Sequence, residues 1–311
     1  MAVWLCPGQG AQQPGMGADL LADARFTQVA EVFATASGVL GIDVAELARS
    51  GSEAEVSDAF NAQALTVAVS VGVGRELLAR GYKPQAIVGF SLGQISALAL
   101  SGMLSVEQTF ALLKERAAGM AQACQEQPGA MCALLKASHE EAAQLCEESA
   151  QGQILVSANY NCPGQVVISG QMQAIERAEQ AWAAMPGKRA ARLNVAGGFH
   201  SPLMQAAAVR TGAEAAQLQF NEPRFTLLCN TDAQPFTAAE AAQRLEQQVK
   251  SPVMFEQSIA ALLQQGASEF IEVGYGNVLV NLVKRQDRST CRTTLGTAAE
   301  LDAYLTAQGD E

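Results

Sequence analysis

A serine held between two glycines, where an apolar run gives way to a helical one, constrains this chain more than any other feature. The run is Ala86-Ile87-Val88-Gly89-Phe90-Ser91-Leu92-Gly93, and Gln94 to Leu100 follow in a helical pattern. The pattern G-x-S-x-G alone occurs often by chance. Between a strand and a helix it acquires a mechanical meaning, because the chain must turn sharply and only glycine leaves room beside the serine. The Ser91 hydroxyl then stands exposed at a helix N-terminus. The backbone N–H of Leu92 points to where an oxyanion would form on an attacked carbonyl.

The remaining pattern reads as an α/β domain with a second unit set into it. Val3-Trp4-Leu5-Cys6 is a short apolar strand that ends at Pro7-Gly8-Gln9-Gly10. Helical patterns cover about 18–39 and 63–80, and Ser105 with Gln108 opens a helix that runs to about Cys124. The texture changes after Gln125. Met131 to Leu135, Ile154 to Ala158, Val166 to Ser169 and Ala191 to Val195 read as strands. A capping box at Ser138-His139-Glu140-Glu141 opens one helix, and Met172 to Met185 forms another. The order β-α-β-β-α-β is the ferredoxin-like signature. The expected organisation is a core of residues 1–125 and 196–311, interrupted by a ferredoxin-like subdomain at 126–195. Later elements are a strand at Phe225 to Cys229, helices at about 238–249 and 255–265, a strand at Phe270 to Val273, a last helix and a polar tail.

A serine nucleophile needs a base, and the chain has only two histidines. His139 reads as a solvated residue in the first turn of a surface helix. His200 follows Gly197-Gly198-Phe199 in a turn just after a strand, and by elimination it is the base for Ser91. No Asp lies between Ser91 and His200, so the Ser…Asp…His order of an α/β-hydrolase is missing, although a Glu could substitute. A Ser–His dyad oriented by something other than a buried Asp fits better.

Composition narrows the remaining classes. A net charge of −11 argues against general nucleic-acid binding, which needs a basic face. The seven Cys residues show no C-x-x-C spacing, so no metal site or disulfide framework is expected, and reduced thiols in a cytoplasmic protein are. The start of the chain lacks the basic region and length of a signal peptide. The uncharged stretch Pro84 to Met103 is broken by glycines, Gln94 and serines, and reads as strand, turn and helix rather than a membrane span.

Several short motifs occur together in a fixed order. They are Pro7-Gly8-Gln9-Gly10-Ala11-Gln12, the serine elbow, Arg116, Asn161-Cys162-Pro163-Gly164-Gln165, Phe199-His200-Ser201-Pro202-Leu203-Met204 and Glu272-Val273-Gly274. Over nearly its whole length the chain resembles the malonyl-CoA:acyl carrier protein transacylases and the acyltransferase domains of polyketide synthases. The resemblance implies an α/β-hydrolase-like core with an inserted ferredoxin-like subdomain. It implies a ping-pong transfer of malonyl from malonyl-CoA to an acyl carrier protein, with a coenzyme A thioester as substrate and no cofactor. Ser91 and His200 would form the dyad, the backbone N–H groups of Gln9 and Leu92 the oxyanion hole, and a carbonyl near Ser251 would orient His200. Arg116 reads by itself as a surface residue beside an apolar stripe. The resemblance instead makes it the grip on the malonyl carboxylate, with Gln63 and Gln165 lining the same cleft. Phe199 resembles the Phe-His pairing of malonyl-selective domains and would crowd an α-methyl branch.

Two departures stand out. The family's usual G-H-S-L-G-E reads Gly89-Phe90-Ser91-Leu92-Gly93-Gln94 here, which puts Phe90 beside the serine and removes a carboxylate at Gln94, and the late E-V-G-P-G reads Glu272-Val273-Gly274-Tyr275-Gly276. Three rival readings remain open at this level: an acyl hydrolase that edits carrier proteins, a non-catalytic scaffold in a synthase complex, and the malonyl transferase of a malonate decarboxylase system. An acidic carrier would need a local basic patch, and the sequence offers Lys188, Arg189 and Arg192, or Lys284, Arg285 and Arg288.

Overall fold

The computed structural model describes residues 1–309; Asp310 and Glu311, the end of the polar tail, lie outside the described residues. The strands are β1 Ala2–Cys6, β2 Ala86–Gly89, β3 Gly129–Ala137, β4 Leu155–Cys162, β5 Gly164–Gln171, β6 Arg189–Arg192, β7 Thr226–Leu228, β8 Glu269–Val273 and β9 Cys291–Leu295. They form two sheets. The first is five-stranded in the order β7-β2-β1-β8-β9, with every pairing parallel.

A parallel sheet is covered on both faces, so its strands read as continuous apolar runs. The strand period of two sorts them between two cores. Trp4, Cys6 and Ile87 pack into the larger core with the helices Thr27–Leu40 and Ala59–Ala79. Val3, Leu5, Ala86 and Val88 face the other core, with the helices Phe255–Gln264 and Val278–Gln286.

The second sheet is four-stranded and antiparallel, in the order β4-β5-β3-β6. The helices His139–Ala150 and Met172–Ala184 cover one face, and their apolar sides close a separate core around Trp182. The other face carries Met131, Ala133, Ala158 and Val167 and packs against Leu193 and Phe199. It therefore lies over the chain that leads into His200. At its β4 edge this sheet is stitched to the first unit: Tyr160 N donates to Val253 O at 2.9 Å, and Val253 N donates to Ala158 O at 2.8 Å.

Several elements differ from expectation. The helix expected over 18–39 is two helices, Ala18–Ala22 and Thr27–Leu40. The helix expected from 63 begins at Ala59, because Asp58 caps it by accepting from Phe60 N and Asn61 N. The strand read as Ala191 to Val195 is Arg189–Arg192. Leu193 still donates to Met131 O at 2.9 Å, and the chain then leaves the sheet to reach His200. The expected last helix is followed by β9 and the helix Ala298–Ala307, and the helices Val44–Ser50, Glu53–Ser57 and Gln205–Ala215 had no sequence counterpart. Among the described residues one helix, Ala59–Ala79, is long and apolar enough to cross a membrane, and 83% of its apolar window is buried inside the fold. The Pro84 to Met103 stretch divides into β2, the elbow and the helix Gly93–Leu100.

Candidate active site

The elbow is steric in origin. A Cβ on Gly89 would fall 2.2 Å from Gln94 N, and one on Gly93 would fall 1.9 Å from Cys6 O. No rotamer change relieves a clash with backbone, so both positions require glycine. Ser91 itself sits at φ 52°, in the left-handed region that costs a non-glycine residue free energy. His200, at φ 56°, shares this conformation. The strain in both residues is offset by the hydrogen bonds that fix them.

Ser91 Oγ lies 2.6 Å from His200 Nε2. His200 Nδ1 faces two backbone carbonyls, Gln248 O at 3.0 Å and Ser251 O at 3.1 Å. Carbonyls only accept, so the proton sits on Nδ1 and Nε2 is left to accept from the serine hydroxyl. Both carbonyls belong to the last turn of the helix Ala241–Lys250 and its C-cap Ser251, where backbone acceptors lack intrahelical partners. The negative end of that helix thus occupies the place of the absent carboxylate. His200 is buried, and its pKa is pushed down to about 4, first by desolvation and then by the charge of Arg116, against the two carbonyls that raise it. It is neutral, and so a competent base, at neutral pH.

Sequence reasoning missed Gln248. Its Nε2 donates to Ser91 O at 2.8 Å and to Asn230 Oδ1 at 3.2 Å, while its own carbonyl takes His200. Asn230 in turn donates from Nδ2 to Gly89 O and from its backbone N–H to Gln94 Oε1 at 3.0 Å. Gln94, which stands where the family pattern has a carboxylate, is therefore a buried amide beneath the elbow. The available signal for Gln248 was its position: it falls with Ala241, Leu245 and Val249 on the buried side of its helix, and a polar residue on an apolar stripe requires a partner.

A cavity of about 140 Å³ opens over the dyad, lined by Gln9, Phe90, Ser91, Leu92, Arg116, Met131, Phe199 and His200 among others. Arg116 is 1% exposed, so its reading as a surface residue is overturned. Its Nη1 donates to Gln63 Oε1 at 2.9 Å, and its Nε has no partner. Desolvation lowers its pKa to about 10, which leaves it charged at neutral pH. A buried guanidinium without a carboxylate is costly, and an anion supplied from outside would relieve it.

Gln63 is buried behind Arg116 and does not line this cavity. Gln165 lines a neighbouring cavity of about 300 Å³, which shares Gln9, Gly10, Phe90, Asn159 and Leu193 with the first. In that second space Asn161 Oδ1 and Glu272 Oε1 are buried acceptors without partners. Phe90 stands in the wall between the two, edge-on to Phe255 at 5.4 Å. His139 is not simply solvated. Its Nε2 pairs with Glu256 at 3.0 Å and its ring lies against Tyr160, across the junction of the two units.

The family model described as the acyl transferase domain matches residues 3–302 of the chain. The malonyl CoA-acyl carrier protein transacylase of Salmonella typhimurium is 36% identical over 302 residues, which is 96% of this chain and 97% of that protein. The protein of the same name from Escherichia coli K12 is 37% identical over 281 residues, 90% of each chain. Among solved structures, malonyl-CoA:acyl carrier protein transacylase from Xanthomonas oryzae superposes with a TM-score of 0.93 at 34% identity, covering 98% of both chains. A malonyl-transacylase in complex with its type II polyketide synthase acyl-carrier protein gives the same TM-score and identity over 98% of this chain and 99% of that one.

Proposed function

The chain belongs to the acyl transferase domain family, and from that premise we propose that it moves a malonyl group from malonyl-CoA to the thiol of an acyl carrier protein through an ester on Ser91. The observation that carries this reading is one cavity holding both a nucleophile–base pair at 2.6 Å and a buried arginine with no carboxylate of its own.

In the first half-reaction His200 Nε2 takes the Ser91 proton as Oγ attacks the thioester carbonyl. The oxyanion of the tetrahedral intermediate accepts from the backbone N–H groups of Leu92 and Gln9. When the intermediate collapses, the C–S bond breaks, and the departing coenzyme A sulfur takes the proton from His200. In the second half-reaction the carrier thiol gives its proton to His200 and attacks the ester, and Ser91 leaves with that proton. Arg116 holds the free carboxylate of malonyl bidentately throughout. An acetyl group offers no such partner, so selection for malonyl follows from the charge that the ligand neutralises. Phe199 fills the wall against an α-methyl branch. Asn161 and Glu272 leave buried acceptors in the second cavity, which suits the amide N–H groups of a pantetheine arm.

No cofactor enters these steps. We further infer an α/β-hydrolase-like core of residues 1–125 and 196–311 and a ferredoxin-like subdomain at 126–195. The core supplies the nucleophile, the base and Arg116, and the subdomain covers the site.

Intact-mass analysis after mixing with malonyl-CoA should show one malonyl group on the chain, absent in Ser91→Ala and lost on adding holo-carrier protein. His200→Ala should slow acylation by about 10²–10⁴ or more, the range for a positioned base. Release of free malonate without transfer would instead point to a hydrolase.

A further inference from the structure

The chain has a formal net charge of −11, yet the exposed cations Lys284, Arg285 and Arg288 form no ion pair among the described residues. In the other basic cluster two of the three cations are already committed, which leaves Arg189 isolated without an ion pair among the described residues. Lys188 pairs with Glu141 at 2.7 Å and lies over the Trp182 ring, and Arg192 pairs with Glu179. The one acid between the free cations, Asp287, is engaged by Ser289 through its backbone N–H and hydroxyl.

The position of Arg285 follows from helix geometry. Val278, Leu279 and Leu282, on the helix Val278–Gln286, line the second cavity, and none of them lines the Ser91 cavity. Arg285 is seven residues beyond Val278 and three beyond Leu282, so it continues the same face one turn further out. Its guanidinium reaches the Cys162 thiol, in the β4–β5 turn whose Gln165 lines the same cavity. Arg285 therefore stands at the outer rim of this cavity, on the side served by the helix that does not reach Ser91.

The two substrates of the proposed reaction share one part, a pantetheine arm that carries its thiol at one end and a phosphate at the other. We infer that Arg285, with Lys284 and Arg288 beside it, is a phosphate-binding rim for this arm, used by coenzyme A in the first half-reaction and by the carrier in the second. This inference rests on the function proposed above. A planar guanidinium suits a phosphate bidentately, and unpaired neighbouring cations give the anion a local attraction that an acidic chain otherwise lacks.

The test compares arms with and without phosphate in the full-length chain. Donors are malonyl-CoA and the malonyl thioester of phosphate-free pantetheine; acceptors are holo-carrier protein and free pantetheine. Arg285→Ala should lower kcat/KM for malonyl-CoA roughly ten- to hundredfold, the range for a hydrogen bond to a charged group. The loss should lie in KM, and the phosphate-free donor should be unaffected. The same split is expected between the two acceptors, and Arg285→Lys should recover part of it. Equal losses with both donors would assign Arg285 a packing role against Cys162 and overturn the inference. So would unchanged kinetics with malonyl-CoA, or an effect confined to one half-reaction. Failure of the underlying function is distinct, because the wild-type chain would then acquire no malonyl on Ser91.

Discussion

Gln248 donates from its side-chain amide to the backbone carbonyl of Ser91 at 2.8 Å. The same residue accepts His200 Nδ1 on its own carbonyl at 3.0 Å. One residue thus holds Ser91 through its side chain and His200 through its backbone, and both sit at positive φ. Gln248→Leu keeps the carbonyl and removes the amide. Single-turnover acylation by malonyl-CoA should slow roughly ten- to hundredfold, the cost of losing a buried hydrogen bond of about 1.5–3 kcal/mol. KM should hardly move, since Gln248 does not line the cavity. An unchanged acylation rate would show that the elbow holds Ser91 without it.

The pH dependence of acylation tests the electrostatics of the dyad. His200 must be neutral to accept a proton, and its pKa is held down to about 4 by burial and then by Arg116. The acylation rate should therefore persist as pH falls from 7 to 5 and drop only as pH approaches 4. An acidic limb near the ordinary histidine value of about 6.5 would contradict this. Arg116→Met removes the second cause and leaves the first. Measured with acetyl-CoA, which does not need Arg116, its limb should move up while staying below the ordinary value.

Arg116 also separates stability from selectivity. Replacing a buried, poorly partnered ion by an apolar side chain of similar length should stabilise the ligand-free protein by roughly 1–3 kcal/mol. Arg116→Met should accordingly raise the denaturation midpoint of the ligand-free chain while abolishing its preference for malonyl-CoA over acetyl-CoA. A lower midpoint would mean that Gln63 satisfies the guanidinium better than one hydrogen bond indicates.

Glu272 makes a prediction for the stability of the ligand-free chain. Its carboxyl is fully buried, with Oε2 accepting from Val280 N at 2.9 Å and Oε1 unpartnered. Desolvation raises its pKa from 4.5 to about 7. The folded state therefore holds a proton that the unfolded chain gives up, so this group's contribution is fully present below pH 4.5 and is lost as pH rises through 7. Glu272→Gln can still accept from Val280 and never ionises. It should raise the unfolding free energy, and with it the thermal midpoint, more at pH 8 than at pH 5, the free-energy increment being roughly 2–3 kcal/mol. Equal midpoint changes at the two pH values would show that Glu272 ionises without cost.

The sequence by itself determined whatever depends on neighbours along the chain. The strand–elbow–helix unit was legible because the turn has a steric solution only with glycine at Gly89 and Gly93, and backbone sterics are local. The β-α-β-β-α-β order of the insert was legible because Ser138 and the apolar alternation mark their own elements. His200 emerged as the partner of Ser91 because only two histidines compete. Contacts between distant segments were not legible. Arg116 on a helix and Lys188 in a turn are both cations with no acid fixed for them by the local sequence, yet one is buried in the Ser91 cavity without a carboxylate and the other is neutralised by Glu141. Nothing near either residue in sequence says which. Gln248 was hidden for a related reason, whereas the Ser251 carbonyl came from the family resemblance and not from its sequence neighbours. Their role lies in backbone carbonyls left open at a helix C-terminus, and every residue has a carbonyl. Only the packing of that helix end against the His200 turn decided which two would accept from His200 Nδ1.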